Sequence, residues 1–270
     1  MLSILNSISS LNAENALSST QASLQKTLTA LSTGLRINSG ADDAAGLSIA
    51  NGLAGNIAAL NQSVSNASDG VGVLQTADGA LSQVTTLLNR AVTLATEASN
   101  SGLSTSQYTA LDGEYQDILT EVGNIGSSTT FNGAAVFGST VGAYISDGTT
   151  GGSVSITTAL AALTAGGLGL KGKLDSSTDA QAELTNITAA IATVAGDRGT
   201  IGATQNQLTA SQGVASTEAT NLTSAENDIQ NADIGKTVAS MTQFNVLEQT
   251  GMAALSQSNQ VQQSVLKLLQ

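Results

Sequence analysis

The chain has 270 residues and a net charge of −12, and it contains no Cys, His, Pro or Trp. Without His or Cys it lacks the imidazole and thiol groups that most often act as catalytic bases, nucleophiles and metal ligands. We therefore expect no enzymatic activity, no bound metal and no cofactor. The negative charge argues against binding to nucleic acid or to an anionic membrane surface. We expect no membrane-spanning segment, because no run of about 20 apolar residues is present.

Leucines at heptad spacing predict a first helix over residues 4–35. Gly34 and the Asn38-Ser39-Gly40 segment then interrupt the pattern, which indicates a joint over residues 33–43. Asp42 or Asp43 would begin the next helix, because a short carboxylate accepts the unpaired backbone N–H groups of a first turn. Adjacent carboxylates rarely converge on one substrate, so we favour this cap over a catalytic pair.

Apolar residues spaced by threes and fours from Ile49 to Leu88 predict a long helix over residues 44–99. The same spacing returns after the break at residues 100–102 and predicts a shorter helix over residues 105–127. Glycines at positions 52, 55, 70, 72 and 79 interrupt the pattern of the long helix, and we expect neighbouring elements to approach some of them closely.

The period then changes to an alternation that is typical of β-strands. Apolar residues alternate from Val141 to Ile145 and again from Val154 to Ile156, with glycine-rich turn residues between them. This pattern predicts a β-hairpin, and Asn132-Gly133 predicts a tight turn before it.

The helical period resumes at residue 177 and runs to Ile229, and a last helix follows a phase shift at residues 231–235. The predicted fold is mainly α: an antiparallel hairpin of long coiled-coil helices with a small central β-hairpin insert, assembling into a helical filament. We expect three domains. They are a terminal coiled-coil core domain (1–35 with 235–270), a helical rod domain (36–138 with 174–234) and a solvent-facing β insert (139–173).

Several blocks of residues resemble the bacterial flagellins. Residues 31–50, which read LSTGLRINSGADDAAGLSIA, are similar to the family's signature almost residue for residue. Shorter matching blocks are NASDG at 66–70, QTADGAL at 75–81, FNG at 131–133 and SQSNQV at 256–261. The resemblance covers about residues 1–138 and 180–270.

The resemblance implies a structural subunit of the extracellular filament used for swimming, exported through the flagellum's own channel. Its implied partners are copies of itself, the flagellar export apparatus, an export chaperone, and the filament cap and junction proteins. It also implies that certain residues lie at the joint or at contacts between subunits. These are Leu31, Leu35, Arg36, Ile37, Asn38, Asp42, Asp43, Arg90, Leu94, Asn259, Val261, Val265 and Leu268.

Two alternative functions are also compatible with the terminal helices. A hook–filament junction protein shares the terminal helices of flagellin, but the full set of matching blocks at both ends favours flagellin. A surface homologue that binds polysaccharide would need aromatic stacking groups, and the insert has one, Tyr144. The zinc-protease insert of some flagellins requires an H-E-x-x-H motif, which a chain without His cannot form.

We also expect Arg36 to contact a carboxylate or backbone carbonyls, because a guanidinium without partners is costly inside an assembly. Near the second joint the family's charge pattern is partly reversed, since Glu226 and Asp228 stand where basic residues are usual.

Overall fold

The computed structural model describes residues 8–149 and 151–268, without the side chains of residues 9, 262 and 265–268. These residues form five helices and four short strands. In chain order they are α1 (Ile8–Thr33), α2 (Ala44–Ala98), α3 (Thr105–Ser128), β1 (Thr130–Phe131), β2 (Ala134–Ala135), β3 (Ser139–Ser146), β4 (Ser153–Leu160), α4 (Ser177–Gln230) and α5 (Ile234–Leu268). The mainly helical fold with a small β insert is confirmed. None of these helices carries an apolar stretch long enough to cross a bilayer.

The chain divides into two compact units. The first contains residues 1–54 and 221–270, and the second contains residues 55–220. The first unit thus holds α1, α5, the start of α2 and the end of α4. The second unit holds the rest of α2 and α4 together with α3 and all four strands.

In the first unit, α1 and α5 pack as an antiparallel pair. Ser10 and Ser258 share a hydrogen bond of 2.8 Å between their hydroxyls, and Gln21 donates one of 3.1 Å to Glu248. None of the described side chains of α1 or α5 is fully buried. Large apolar side chains are more than two-fifths exposed on both helices, including Leu11, Val246, Met252 and Val261. The pair therefore covers only part of its own apolar surface.

In the second unit, α2, α3 and α4 enclose a continuous apolar core. Its buried members include Leu74, Leu81, Leu88, Leu94, Ile118, Val122, Ile187, Val194, Ile201 and Leu208. Helices α2 and α4 run antiparallel and are joined by a salt bridge of 2.7 Å between Arg198 and Asp78. Gly70 permits close packing, since a Cβ there would lie 3.2 Å from a methyl of Leu208. Nothing lies within 4 Å of such a Cβ at Gly52, Gly55 or Gly79, so among these five glycines the expected close approach holds at Gly70 and Gly72.

The predicted β-hairpin is confirmed as β3 and β4, which pair antiparallel with Val141 opposite Thr158 and Ala143 opposite Ile156. One face of this hairpin is buried in the unit, and Ser63 of α2 exchanges two hydrogen bonds of 2.8 Å with the backbone of Ser146. The Asn132-Gly133 turn is also present. Both residues have positive φ, at 48° and 80°, and they connect the two-residue strands β1 and β2.

The structure corrects the predicted ends of two terminal helices. The first was expected to reach Leu35, but α1 ends at Thr33 because Gly34 takes a φ of +74° that reverses the chain. The start of that prediction, before Ile8, lies outside the described residues. The break near the second joint is also shorter than expected, because α5 begins at Ile234.

Candidate functional site

The connection between α1 and α2 is hydrogen-bonded to the connection between α4 and α5. Leu35 and Asn231 form an isolated antiparallel bridge, in which the N–H of Arg36 donates to the carbonyl of Gln230 at 2.6 Å. The N–H of Ala232 donates in return to the carbonyl of Gly34 at 2.9 Å. We call residues 34–43 and 231–233 together the double joint. This bridge fixes the register between the chain's first and last interhelical connections.

Arg36 reinforces this bridge with its side chain. Its Nη2 donates a hydrogen bond of 2.6 Å to the carbonyl of Ile229, and the residue as a whole is exposed. The expected partner of Arg36 is thus a backbone carbonyl of the same chain. Among the described residues no carboxylate forms an ion pair with Arg36.

Asp42 closes the first half of the double joint. Its Oδ2 accepts hydrogen bonds from the N–H groups of Asn38 and Ser39, at 3.2 and 3.0 Å, and from the Ser39 hydroxyl. Its Oδ1 lies 2.8 Å from the ammonium of Lys26 on α1. The hydrogen bond from Lys26, followed by that from Ser39, lowers the pKa of Asp42 to about 2. Asp42 therefore binds the joint to α1 rather than capping α2.

Asp43 is the residue that caps α2. Its Oδ1 accepts the N–H of Gly46 at 2.8 Å, so the predicted cap is confirmed at the second of the two aspartates. Ile37 is buried, with 2% of its surface exposed, and its side chain lies against Gly46. A Cβ at position 46 would lie 2.8 Å from the Ile37 side chain, which explains why glycine stands here.

The double joint opens into a cavity of about 820 Å³ between α1 and α5. Three of its lining residues are cations and two are carboxylates, namely Lys26, Arg36, Lys236, Asp42 and Asp233. This is a concentration of positive charge in a chain that has eight basic residues and 20 acidic ones. We call this space the joint cavity.

Both carboxylates of the joint cavity are already engaged within the chain. Asp42 pairs with Lys26, and Asp233 accepts the N–H of Lys236 at 3.1 Å near the start of α5. The ammonium of Lys236 forms no ion pair with the described residues. Arg36 and Lys236 are therefore the two cations of the cavity that lack an anionic partner there.

The remaining predicted site residues lie elsewhere. Arg90 forms an exposed salt bridge of 2.7 Å with Glu114, and the hydrogen bond from Arg90 lowers the pKa of that carboxyl. Leu94 has 1% of its surface exposed and belongs to the core of the second unit. Leu31 is half-buried on α1, and Asn259 and Val261 are exposed on α5. The side chains of Val265 and Leu268 lie outside the described residues.

The sequence does not predict Lys26, Lys236 or Asp233 as site residues. Basic residues are scarce in this chain, and two of its eight, Lys26 and Lys236, lie on the terminal helices near the two joints. Their position is the signal that could have identified these two lysines. Nothing in the local pattern shows that the two joints meet. In the described residues no group of His, Cys, Asp and Glu could hold a metal ion.

Comparison with protein families gives matches at both ends of the chain. The bacterial flagellin N-terminal helical region matches residues 4–141, and the bacterial flagellin C-terminal helical region matches residues 184–269. Together these matches span most of the chain and include all of the double joint.

The chain is also similar to individual proteins. The chain is 34% identical to a flagellin of Halalkalibacterium halodurans, over 91% of each chain, and 31% identical to a flagellin of Bacillus subtilis, over 98% of this chain and 99% of that one. A flagellar filament 33 kDa core protein of Treponema phagedenis is 29% identical over 98% of this chain. The crystal structure of Bacillus cereus flagellin is 28% identical, covers 60% of this chain and superposes with a TM-score of 0.48. Family matches to both terminal regions, together with relatives aligned along nearly the whole chain, show that this protein belongs to the bacterial flagellin family.

Proposed function

We propose that this chain builds its filament chiefly through the helices α1 and α5 and through the double joint. The chain is a structural subunit of the bacterial flagellar filament, and its family consists of structural proteins rather than enzymes. Self-association into a homopolymer follows from that role.

The exposed apolar surface of α1 and α5 is the observation that supports the proposal. No described side chain of either helix is fully buried in the single chain, although both helices carry heptad-spaced apolar residues. A helix pair without a buried core gains little stability by itself. Burial against the same helices in other copies would remove this apolar surface from water, at roughly 25 cal/mol per Å².

The three-domain division and the interface residues belong to this proposal. Residues 1–35 with 235–270 would form the assembling core, residues 36–138 with 174–234 the helical rod, and residues 139–173 the outward insert. Leu31, Leu35, Asn259, Val261, Val265 and Leu268 would make contacts between copies of the core. Arg36, Ile37, Asn38, Asp42 and Asp43 would hold the double joint, and Arg90 and Leu94 would act in the rod. Leu94 would act indirectly, because it packs in the core beneath the part of α2 that carries Arg90.

Export and its partners also belong to the proposal. The filament of this family is extracellular, so we infer that the subunit is secreted through the flagellar export apparatus. An export chaperone would cover the apolar faces of α1 and α5 before assembly, and cap and junction proteins would contact the filament ends. The junction-protein and polysaccharide-binding alternatives are not favoured, because the family matches and the relatives are flagellins.

Hydrogen exchange before and after polymerisation tests the proposal. Amides of α1 and α5 should exchange quickly in the monomer and slowly in the filament, while amides in the core of the second unit should be protected in both. Exchange in α1 and α5 that does not change on polymerisation would overturn the proposal. Filaments of normal length from a chain that lacks both helices would do the same.

A further inference from the structure

The joint cavity carries a net positive charge, since three cations and two carboxylates line it, and Arg36 and Lys236 form no ion pair with the described residues. Arg36 uses its side chain for a hydrogen bond to a neutral carbonyl, and Lys236 makes no ion pair with the described residues. A guanidinium has five N–H donors, so Arg36 retains donors for a carboxylate. The cavity volume of about 820 Å³ leaves room for side chains from outside the chain.

Helix α3 presents the complementary feature. Asp117 and Glu121 are exposed and lie one helical turn apart, so they project from the same face of α3. Neither forms an ion pair with the described residues, and Glu121 accepts a single hydrogen bond of 3.2 Å from Asn124. Glu114 shares this face but is already paired with Arg90. The opposite face of α3 is buried through Tyr115, Ile118 and Val122.

We propose that Asp117 and Glu121 of one copy enter the joint cavity of a second copy and pair there with Arg36 and Lys236. The inference rests on the self-association described above and assigns one specific contact within it. Two carboxylates on one surface and two cations on the other each form no ion pair within the described residues, so their charges are complementary. A contact between two different surfaces of identical chains repeats from copy to copy, and it extends an open helical polymer when its rotation does not close into a ring.

Other acidic residues fit the cavity less well. Glu226 and Asp228 are two positions apart on α4, so they project from different sides of that helix. Asp78 is paired with Arg198, and Asp175 lies 3.8 Å from Lys173. The face of α3 therefore combines exposure, one-turn spacing and the lack of an existing partner.

Charge reversal at each side provides the test. Lys236→Glu should raise the critical concentration for seeded polymerisation about tenfold, since it places like charges opposite each other. Asp117→Lys and Glu121→Lys, made separately, should act in the same direction, most strongly for the carboxylate that faces Lys236. Lys173→Glu is the matched control, because Lys173 is exposed outside the cavity, and it should leave the critical concentration within about twofold of the parent.

Mixing the variants separates a contact between copies from an effect within one chain. In an equimolar mixture of Lys236→Glu with whichever α3 variant is impaired, every contact between two unlike copies brings opposite charges together at these positions. The mixture should then polymerise at a lower critical concentration than either variant alone. Raising the salt concentration should reduce the difference, because the Debye length falls to about 3 Å at 1 M.

Two results would overturn the inference while self-association stands. One is variants that polymerise like the parent, and the other is impaired variants that a mixture does not rescue. A parent chain that forms no filaments even with seeds would instead contradict the self-association on which the inference rests. Circular dichroism of each monomer checks that the fold is unchanged, so that a loss of polymerisation reports on the contact.

Discussion

Arg36 donates a hydrogen bond of 2.6 Å from Nη2 to the carbonyl of Ile229. The backbone N–H of Arg36 donates to the next carbonyl, that of Gln230. Ile229 and Gln230 form the last turn of α4, where carbonyls lack partners within the helix and the helix dipole is negative. The last turn of α4 has no basic residue of its own. A cation from the first joint thus completes the end of a helix far away in the sequence.

Replacing Arg36 with Ala should weaken the double joint. The loss of a charged hydrogen bond at a helix end costs about 1–2 kcal/mol, and the exposure of the side chain places the value at the lower end. The filament should depolymerise at a lower temperature than the parent, while thermal unfolding of the second unit in the monomer should not change. Arg36→Lys keeps the charge without the planar guanidinium and should give an intermediate value. Mutant filaments as heat-stable as the parent would show that this hydrogen bond contributes nothing to assembly.

The helices could be predicted from the sequence because their determinants are local. Apolar spacing of three and four residues from Ile49 to Leu88 located α2, and the alternation around Ala143 located β3. Asp43 was expected as one of two candidate caps, and the structure selects it because its carboxylate reaches the N–H of Gly46. Each of these features depends on residues within a few positions of one another.

The joint cavity could not be predicted, because it depends on contacts between distant parts of the chain. The bridge of Leu35 to Asn231 sets which side chains of α1 and α5 meet, and no spacing within either helix encodes it. The pairing of Lys26 with Asp42 likewise depends on the angle at which the chain leaves α1. The end of α1 was misplaced for a related reason, since the positive φ of Gly34 ends the helix while the heptad pattern continues to Leu35.

The interaction of Asp42 with Lys26 and the joint backbone should make the first unit sensitive to acid. Its pKa of about 2 lies below the ordinary value of 3.8, so its stabilising contribution is complete above about pH 4 and is lost as the pH falls through about 2. Asp42→Asn should therefore be less stable than the parent at pH 6, and the difference should shrink as the pH falls from 4 to 2. Thermal unfolding of parent and variant at several pH values measures this difference. Asp175→Asn, a change at an exposed loop carboxylate outside the joint, is the control, and a difference for Asp42→Asn that is constant with pH would contradict the assignment.

Tyr115 should contribute strongly to the stability of the second unit. Its hydroxyl donates a hydrogen bond of 2.5 Å to Glu183, whose side chain has 2% of its surface exposed, and burial raises the pKa of Tyr115 above its ordinary value. Tyr115→Phe would leave that buried carboxylate with Asn186 as its remaining side-chain donor. We expect a loss of about 2–3 kcal/mol in the free energy of unfolding, measured by denaturant titration of the monomer.

Tyr108→Phe provides the matched control for that variant. The hydroxyl of Tyr108 donates to the backbone carbonyl of Asn100 at 2.9 Å near the surface, where water can replace it. Its loss should cost about 1 kcal/mol or less. Equal effects of the two substitutions would show that the Glu183 carboxylate is readily solvated when Tyr115 no longer reaches it.

Two glycines in helices should respond in opposite directions to replacement by Ala. At Gly126 of α3, an added Cβ would overlap the carbonyl oxygen of Leu163, so the segment after β4 would have to move. Gly126→Ala should lower the free energy of unfolding of the second unit by about 1–3 kcal/mol. At Gly79 of α2 nothing lies within 4 Å of an added Cβ, and Gly79→Ala should raise the same free energy by up to about 1 kcal/mol through better helix propensity. Thermal unfolding of both monomers measures the two changes, and a Gly126→Ala variant as stable as the parent would show that the segment around Leu163 is not held against α3.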